Sequence, residues 1–403
     1  MTTHWRIFMK KTLLAASLVA AFAGSALAAD VSLYGRIDLG LGWSHADNGY
    51  DGATNSVAMT TGNYTSSRFG LKGEEALGDG YKVSFILENG YSPDTGALKT
   101  SNTIFDREAT LHLTTPFGTF AAGRLAPLGT DGGSYNMLGG VSAFGTGLGD
   151  VASQGIVMAG LPTSRYSNTV TYLTPRIAGL QAQIRYAMGE EGTDAYENKS
   201  STDHYLGLGV SYRAGNFDGV ILYETVNEKT FGVKNKQAAK FKTDRASDSI
   251  QDMWRITTGG NYDFGVAKLY LVGQYFEGAD KIGSEGFATM TKKVLGTYDA
   301  EETKSNAFDQ WRGAGVSVSA GIPLAGGELK VGGGWLKAKT KELAEGTVKA
   351  EGWYTGLGYT YSFSKTTRAV AAVGTSDVTY KLGSKELAKP NAVYGTLGIA
   401  HFF

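Results

Sequence analysis

The sequence predicts an all-β fold, a transmembrane barrel of sixteen antiparallel strands, and three observations carry that prediction. Apolar and polar residues alternate with a period of two in about sixteen segments. The connections between them alternate between tight turns and long polar stretches. Beyond the first 28 residues, no apolar run approaches the ~20 residues of a membrane helix. A chain that crosses a bilayer without helices must close its strands, because every backbone polar group has to be paired there.

The composition agrees. The chain has 403 residues, 38 basic and 38 acidic side chains and no cysteine. Zero net charge argues against a nucleic-acid partner, which calls for a basic excess. The lack of cysteine fits passage through an oxidising compartment without reliance on disulfides. The 57 glycines come with 22 Tyr, 18 Phe and 6 Trp, so the chain is not a low-complexity linker. Glycine with aromatics suits strands that need close backbone approach and interfacial rings.

Residues 1–28 read as a cleaved secretory signal. Arg6, Lys10 and Lys11 precede the apolar run from Leu13 to Ala23, and Ala26-Leu27-Ala28 supplies small residues for cleavage after Ala28. The run is short for a membrane anchor. Translation from Met9 would give a more ordinary leader than translation from Met1. Residues 29–403 form the barrel, with 35 basic residues left against 38 acidic ones.

The first strand after the leader shows the pattern most clearly. Val31, Leu33, Gly35, Ile37, Leu39, Leu41 and Trp43 share one face; Tyr34, Arg36, Asp38 and Ser44 lie on the other. Further along, Leu180, Ala182, Ile184 and Tyr186 oppose Gln181, Gln183 and Arg185, and Leu206, Leu208, Val210 and Tyr212 oppose glycines, Ser211 and Arg213. Val316, Val318, Ala320 and Ile322 oppose Ser317 and Ser319, and Trp353, Leu357, Tyr359, Tyr361 and Phe363 oppose Tyr354, Thr360 and Ser362. The segments start near residues 31, 65, 81, 104, 118, 165, 179, 203, 217, 252, 266, 310, 328, 351, 367 and 391.

Periodicity alone does not separate a barrel from a soluble sandwich, since either gives each strand one apolar face. The connections do. Gly78-Asp79-Gly80, Pro116-Phe117, Ala214-Gly215-Asn216, Phe264-Gly265 and Ala325-Gly326-Gly327 are tight turns. Between them lie long polar stretches at 45–64, 92–103, 126–163, 189–202, 228–251, 277–309, 340–350 and 376–390. Short turns at one end and long loops at the other make the outer-membrane layout. The last strand, Asn391 to Phe403, ends on an aromatic that shares parity with Leu397 and Ile399.

Specific motifs then point to a family. Leu33-Tyr34-Gly35-Arg36-Ile37-Asp38 resembles the opening strand of Gram-negative general porins of the beta-proteobacterial type. Ser67-Arg68-Phe69-Gly70-Leu71-Lys72-Gly73-Glu74-Glu75 with Leu77-Gly78-Asp79-Gly80 resembles that family's second strand and turn. Phe117-Gly118-Thr119-Phe120 with Gly123-Arg124, Arg165 with Asn168-Thr169-Val170-Thr171-Tyr172, and the terminal His401-Phe402-Phe403 extend the likeness over the whole mature chain. Tyr359 to Thr367 is similar to a family run with two departures. Phe363 stands for a leucine and Thr366 for an arginine, while Arg368 lies two positions on.

The resemblance implies an outer-membrane diffusion channel for small ions and hydrophilic solutes, without cofactor or metal. It implies a homotrimer whose third loop folds into the lumen, set in outer-membrane lipid and lipopolysaccharide. It also implies that the assembly machinery reads the strand ending in Phe403. Carried over by position, the basic side of the constriction is Arg68, Arg107 and Arg165, with Arg36 or Arg124 nearby. Alternation puts Arg68 and Arg165 on polar faces. Arg107 shares parity with Ala109, Leu111 and Leu113, and only the resemblance keeps it in the lumen. The third loop spans about 126–163, and its only charged residues, Asp131 and Asp150, are the candidate acidic side. Arginines facing acids across a lumen orient dipolar solutes, and three against two lean towards anions.

Other motifs carry less. Gly145-x-Gly147-x-Gly149 has no strand before it and no helix after it, so it is no nucleotide site. The histidines (His4, His45, His112, His204, His401) have no metal-ligand spacing. The lysines between Lys229 and Lys242 fit an exposed loop near anionic lipopolysaccharide better than a nucleic-acid patch. A substrate-specific channel would call for a run of aromatics in the loop, which has Tyr135 and Phe144. A barrel enzyme would need an acid–histidine or Ser–His pairing at the rim that these histidines do not supply.

Overall fold

The computed structural model describes residues 30–49, 52–130, 132–145, 149, 157–161, 163–188, 204–227, 252–279, 282, 311–340 and 347–403. The expected leader, Asp131, Asp150 and the lysine-rich stretch lie outside the described residues. Sixteen strands form one closed antiparallel barrel. They are β1 (Asp30–Asp47), β3 (Arg68–Gly78), β4 (Tyr81–Ser92), β6 (Glu108–Thr115), β7 (Gly118–Leu125), β8 (Tyr166–Leu173), β9 (Leu180–Ala187) and β10 (His204–Ala214). The remainder are β11 (Phe217–Asn227), β12 (Met253–Asp263), β13 (Lys268–Ala279), β14 (Trp311–Leu324), β15 (Gly327–Thr340), β16 (Val348–Ser362), β17 (Thr367–Leu382) and β19 (Asn391–Phe402). Each pairs with its neighbour, and β19 closes on β1 from Arg36↔Phe402 to Asp47↔Asn391. Closure leaves no open edge.

Three short strands lie outside that count: β2 (Ala53–Thr61), β5 (Ala97–Leu98) and β18 (Lys385–Ala388). All three occupy stretches expected to be loops. β2 folds back on the far half of β1, Leu39↔Thr61 to Asp47↔Ala53, while β3 pairs with its near half. β17 runs on to Leu382, and β18 returns along it. Between β2 and β3 the backbone turns inward at 62–67. The fully buried Asp38 carboxylate fixes that turn by accepting hydrogen bonds from the Asn63, Tyr64 and Thr65 amides at 2.7–2.9 Å.

The tight turns follow backbone sterics. Leu324 pairs with Gly327 across two residues, Ala325 and Gly326, both at positive φ (48° and 77°). A two-residue hairpin with both φ positive matches the strand twist, and Ala325 tolerates the left-handed region at a small cost.

The two faces sort as the alternation predicts. Val31, Leu33, Leu41, Ile221, Leu271, Val318 and Leu397 stay exposed, each more than half accessible, and form the lipid face. On the opposite parity Arg68, Glu88, Arg185, Glu224, Arg255, Gln274 and Ser319 are buried. What buries them is the connection from β7 to β8. Its Phe144, Val157, Ala159 and Leu161 pack with Tyr205, Phe276, Trp311 and Tyr354, and its Leu128, Met137 and Val141 pack with Leu222 and Val272. The apolar core therefore lies between this segment and the inward side of the wall.

Candidate pore constriction

β1, β3, β4 and β6 bring together the first group of charges. The Glu88 carboxylate lies 2.8 Å from Nε of Arg107 and 3.3 Å from Nη1 of Arg68. The Tyr34 hydroxyl donates to its other oxygen at 3.1 Å. Arg165 joins through the backbone, its Nε donating to the Arg107 carbonyl at 2.7 Å. Arg107 and Arg165 also each donate an Nη2 hydrogen to the Gly132 carbonyl at 3.2 Å, which ties the β7–β8 connection to this wall. Burial and the neighbouring Arg107 pull the Arg165 guanidinium down to about 10, so it stays cationic at neutral pH.

Arg107 resolves the conflict between parity and resemblance. β6 begins at Glu108, so Arg107 sits in the turn before it and alternation does not govern its direction. The strand expected near residue 104 starts four residues later. Arg124 is the candidate that does not join the others. It shares parity with outward Phe120, and it holds the Asp106 carbonyl at 2.9 Å and the Ser167 hydroxyl at 3.0 Å.

A space of about 590 Å³ separates the wall from the β7–β8 connection. Residues 132–134 and 142–145 border it on one side. Arg36, Arg68, Lys330 and Arg368 supply cations to its lining, against the acids Glu88 and Glu108. Glu108 is also bonded, accepting from the Ser134 amide at 3.2 Å and the Thr110 hydroxyl at 3.0 Å. The described acids of the site are thus wall residues, where sequence reading sought them on the loop. Their signal was present: Glu108 shares parity with Thr110 and His112, opposite Leu111 and Leu113.

A second group holds the connection from the other side. Glu224 accepts from Tyr205 Oη at 2.8 Å, from the Gly129 amide at 3.0 Å and from Arg255 at 2.6–2.7 Å. Arg255 then donates to the Ala159 carbonyl at 2.7 Å. Arg185 donates to the Ala126 and Ser134 carbonyls. Gln274 accepts from the Ala159 amide, Ser319 from the Ala143 amide, and Lys330 donates to the Ala143 carbonyl. At Gly315 a β-carbon would overlap the Val157 carbonyl oxygen, so backbone lies directly on backbone. Sequence reasoning named none of Glu224, Arg255 or Lys330 and placed Arg185 only on the polar face of its strand; inward parity alone made them visible.

The arrangement holds fixed charge beside an open space. Comparison with known proteins agrees. A family model for Gram-negative porins matches residues 15–380. An outer membrane porin protein of Bordetella pertussis is 31% identical over 382 residues, covering 90% of this chain and 93% of that one. Outer membrane porin protein 32 of Delftia acidovorans is 30% identical over 264 residues, 65% of this chain and 68% of that one. Among solved structures, the anion-selective porin from Comamonas acidovorans superposes with a TM-score of 0.65 at 22% identity, covering 93% of this chain and 100% of that one. The chain belongs to the Gram-negative porin family, whose β-barrels are channels of the outer membrane.

Proposed function

We propose that this barrel is a passive pore for small hydrophilic solutes and ions with a weak preference for anions. In this reading the described part of the β7–β8 connection, residues 126–130, 132–145 and 157–161, lies in the lumen and forms its narrow waist. The observation that carries it is the 590 Å³ space bordered by that segment, with four cationic side chains against two carboxylates. A water-filled passage spares a solute the several kcal/mol of burying polar groups in hydrocarbon. Net positive lining raises the local concentration of anions. The Comamonas acidovorans relative, described as anion-selective, leans the same way. No bond is made or broken in this function, so the reading is of a channel and not an enzyme.

Reversal potentials across planar bilayers in a potassium chloride gradient test it. Ohmic conductance with a modest anion preference is expected, and a strong cation preference would overturn it. The same recordings test a homotrimer, a state named for one structural relative, an OmpT of Vibrio cholerae. Closure of one inserted unit in three equal steps is expected, and single-step closure argues against it.

Contact with outer-membrane lipid and lipopolysaccharide follows from the exposed apolar face. Reading of the last strand by the assembly machinery is proposed from Phe403, whose ring is half exposed while its backbone exchanges hydrogen bonds with Gly35. Deletion of Phe403 should sharply lower the amount of membrane-inserted protein; unchanged insertion would remove that role.

A further inference from the structure

The positive charges bordering the space are not equivalent. Arg68 faces Glu88 directly, which it shares with Arg107 behind it, and Lys330 lies 2.7 Å from Glu328. Arg36 and Arg368 form no ion pair among the described residues. They stack on rings instead. The Arg36 guanidinium lies 5.4 Å from the Phe402 centroid, and that of Arg368 lies 5.2 Å from Phe402 and 5.1 Å from Tyr64. Each spends one Nη1 on a local bond, Arg36 to the Thr65 hydroxyl and Arg368 to the Tyr64 hydroxyl. The Arg368 Nε is buried and has no hydrogen-bond partner among the described residues. All five residues, with Thr65 on the inward turn fixed by Asp38, border the same open space.

A guanidinium stacked on an aromatic face is held by its plane and keeps its N–H edge free for an acceptor. Two such groups, with no carboxylate among the described residues committed to them, lack the partner that planar donors take best. That partner is an oxyanion, whose oxygens accept paired N–H groups in a way that spherical chloride does not. We propose that Arg36 and Arg368, seated on Phe402 and Tyr64, form a binding station for small oxyanions of the carboxylate or phosphate kind. It lies beside the Arg68–Arg107–Glu88 group, Arg36 pairing with Arg68 across β1 and β3, but its two arginines are held by rings and hydroxyls and not by Glu88. Arg368 is the arginine displaced by two positions from the family run, on β17 where Arg368↔Ala400 sets it beside the end of β19.

The proposal rests on the pore reading and predicts something that reading alone does not. A merely wet pore conducts in proportion to bulk salt, whereas a binding station saturates. The test uses the full-length protein in planar bilayers, with single-channel conductance measured over rising potassium acetate, potassium phosphate and potassium chloride. Conductance should saturate in acetate, in phosphate or in both, which tells the two sources apart, and stay near linear in chloride. Arg36→Gln and Arg368→Gln should each raise the half-saturating oxyanion concentration roughly fivefold, the scale of one charge-assisted hydrogen bond in a wet site. Arg368→Lys keeps the charge but not the fork, so it should retain chloride preference yet still show the raised half-saturation. Linear conductance in both oxyanions, equal saturation in chloride, or half-saturation unchanged in both glutamine variants would each overturn the station. Wild-type protein that opens no channel would overturn the pore reading itself, before any saturation is measured.

Discussion

The two sides of the barrel put the same residue types to opposite uses. On the β1–β6 side, Arg68 and Glu88 stand beside open space with Arg107 paired to Glu88, and Arg36 and Arg368 carry charge without a carboxylate partner among the described residues. On the β9–β15 side, Glu224 and Arg255 are enclosed, and their polar atoms are taken up by the backbone of the β7–β8 connection at Gly129 and Ala159. In the proposed pore the first arginine–glutamate arrangement would tune a field; the other holds the β7–β8 connection. The difference lies in what surrounds the remaining lone pairs and protons: open space on one side, a neighbouring backbone on the other.

The largest test of that contrast is Glu224→Ala. Glu224 is fully buried and accepts from three partners, so its loss strands the Arg255 guanidinium in the interior. Breaking a buried pair in this way costs about 3–5 kcal/mol. The cost should fall on the connection, which loses its hold near both ends, at Gly129 and at Ala159. Noisier open-channel current, an altered conductance and earlier thermal unfolding of the refolded barrel are expected. Quiet recordings with an unchanged unfolding midpoint would show that the pair does not fasten the loop.

Most of the barrel was legible in the sequence because strand period and turn chemistry are local. Thirteen of the sixteen strands start within two residues of the expected positions, since a run such as Val316 to Ile322 sorts its faces without outside help. The exceptions depend on distant partners. β2 reads as a polar loop, with Asn55, Ser56, Thr60 and Thr61, and becomes a strand only because the far half of β1 is left free to pair. β3 begins at Arg68, three residues late, because Asp38 claims the backbone of 63–65 first. β16 begins at Val348, three residues early, because Thr340 accepts its first amide.

Legibility of the site splits in the same way. Arg68 was named as a candidate by parity and by motif. Arg107 was named by motif against parity, and it lies before β6 begins, where parity does not hold. Arg368 was visible as a displaced arginine, but its seat on Phe402 needs the β17–β19 register. Glu88 and Glu108 were passed over because the acids were sought on the loop.

The finest test compares two arginines that the sequence treats alike. Arg68→Gln removes a cation bordering the space and leaves Glu88 balanced by Arg107 alone. One charge at about 7 Å in water is worth roughly 0.6 kcal/mol, with opposite sign for the two ions, so the chloride-to-potassium permeability ratio should fall about sevenfold at low salt. Arg124→Gln removes a cation of the same kind that lies off the space and holds a carbonyl and a hydroxyl between strands. Its permeability ratio should stay within measurement error, with at most a small loss of stability. Equal shifts in the two variants would mean that selectivity follows the summed charge of the barrel. A shift for Arg68→Gln alone would mean that it follows the charges bordering the waist, which is what separates a field built at one place from a protein that is merely basic on its inner wall.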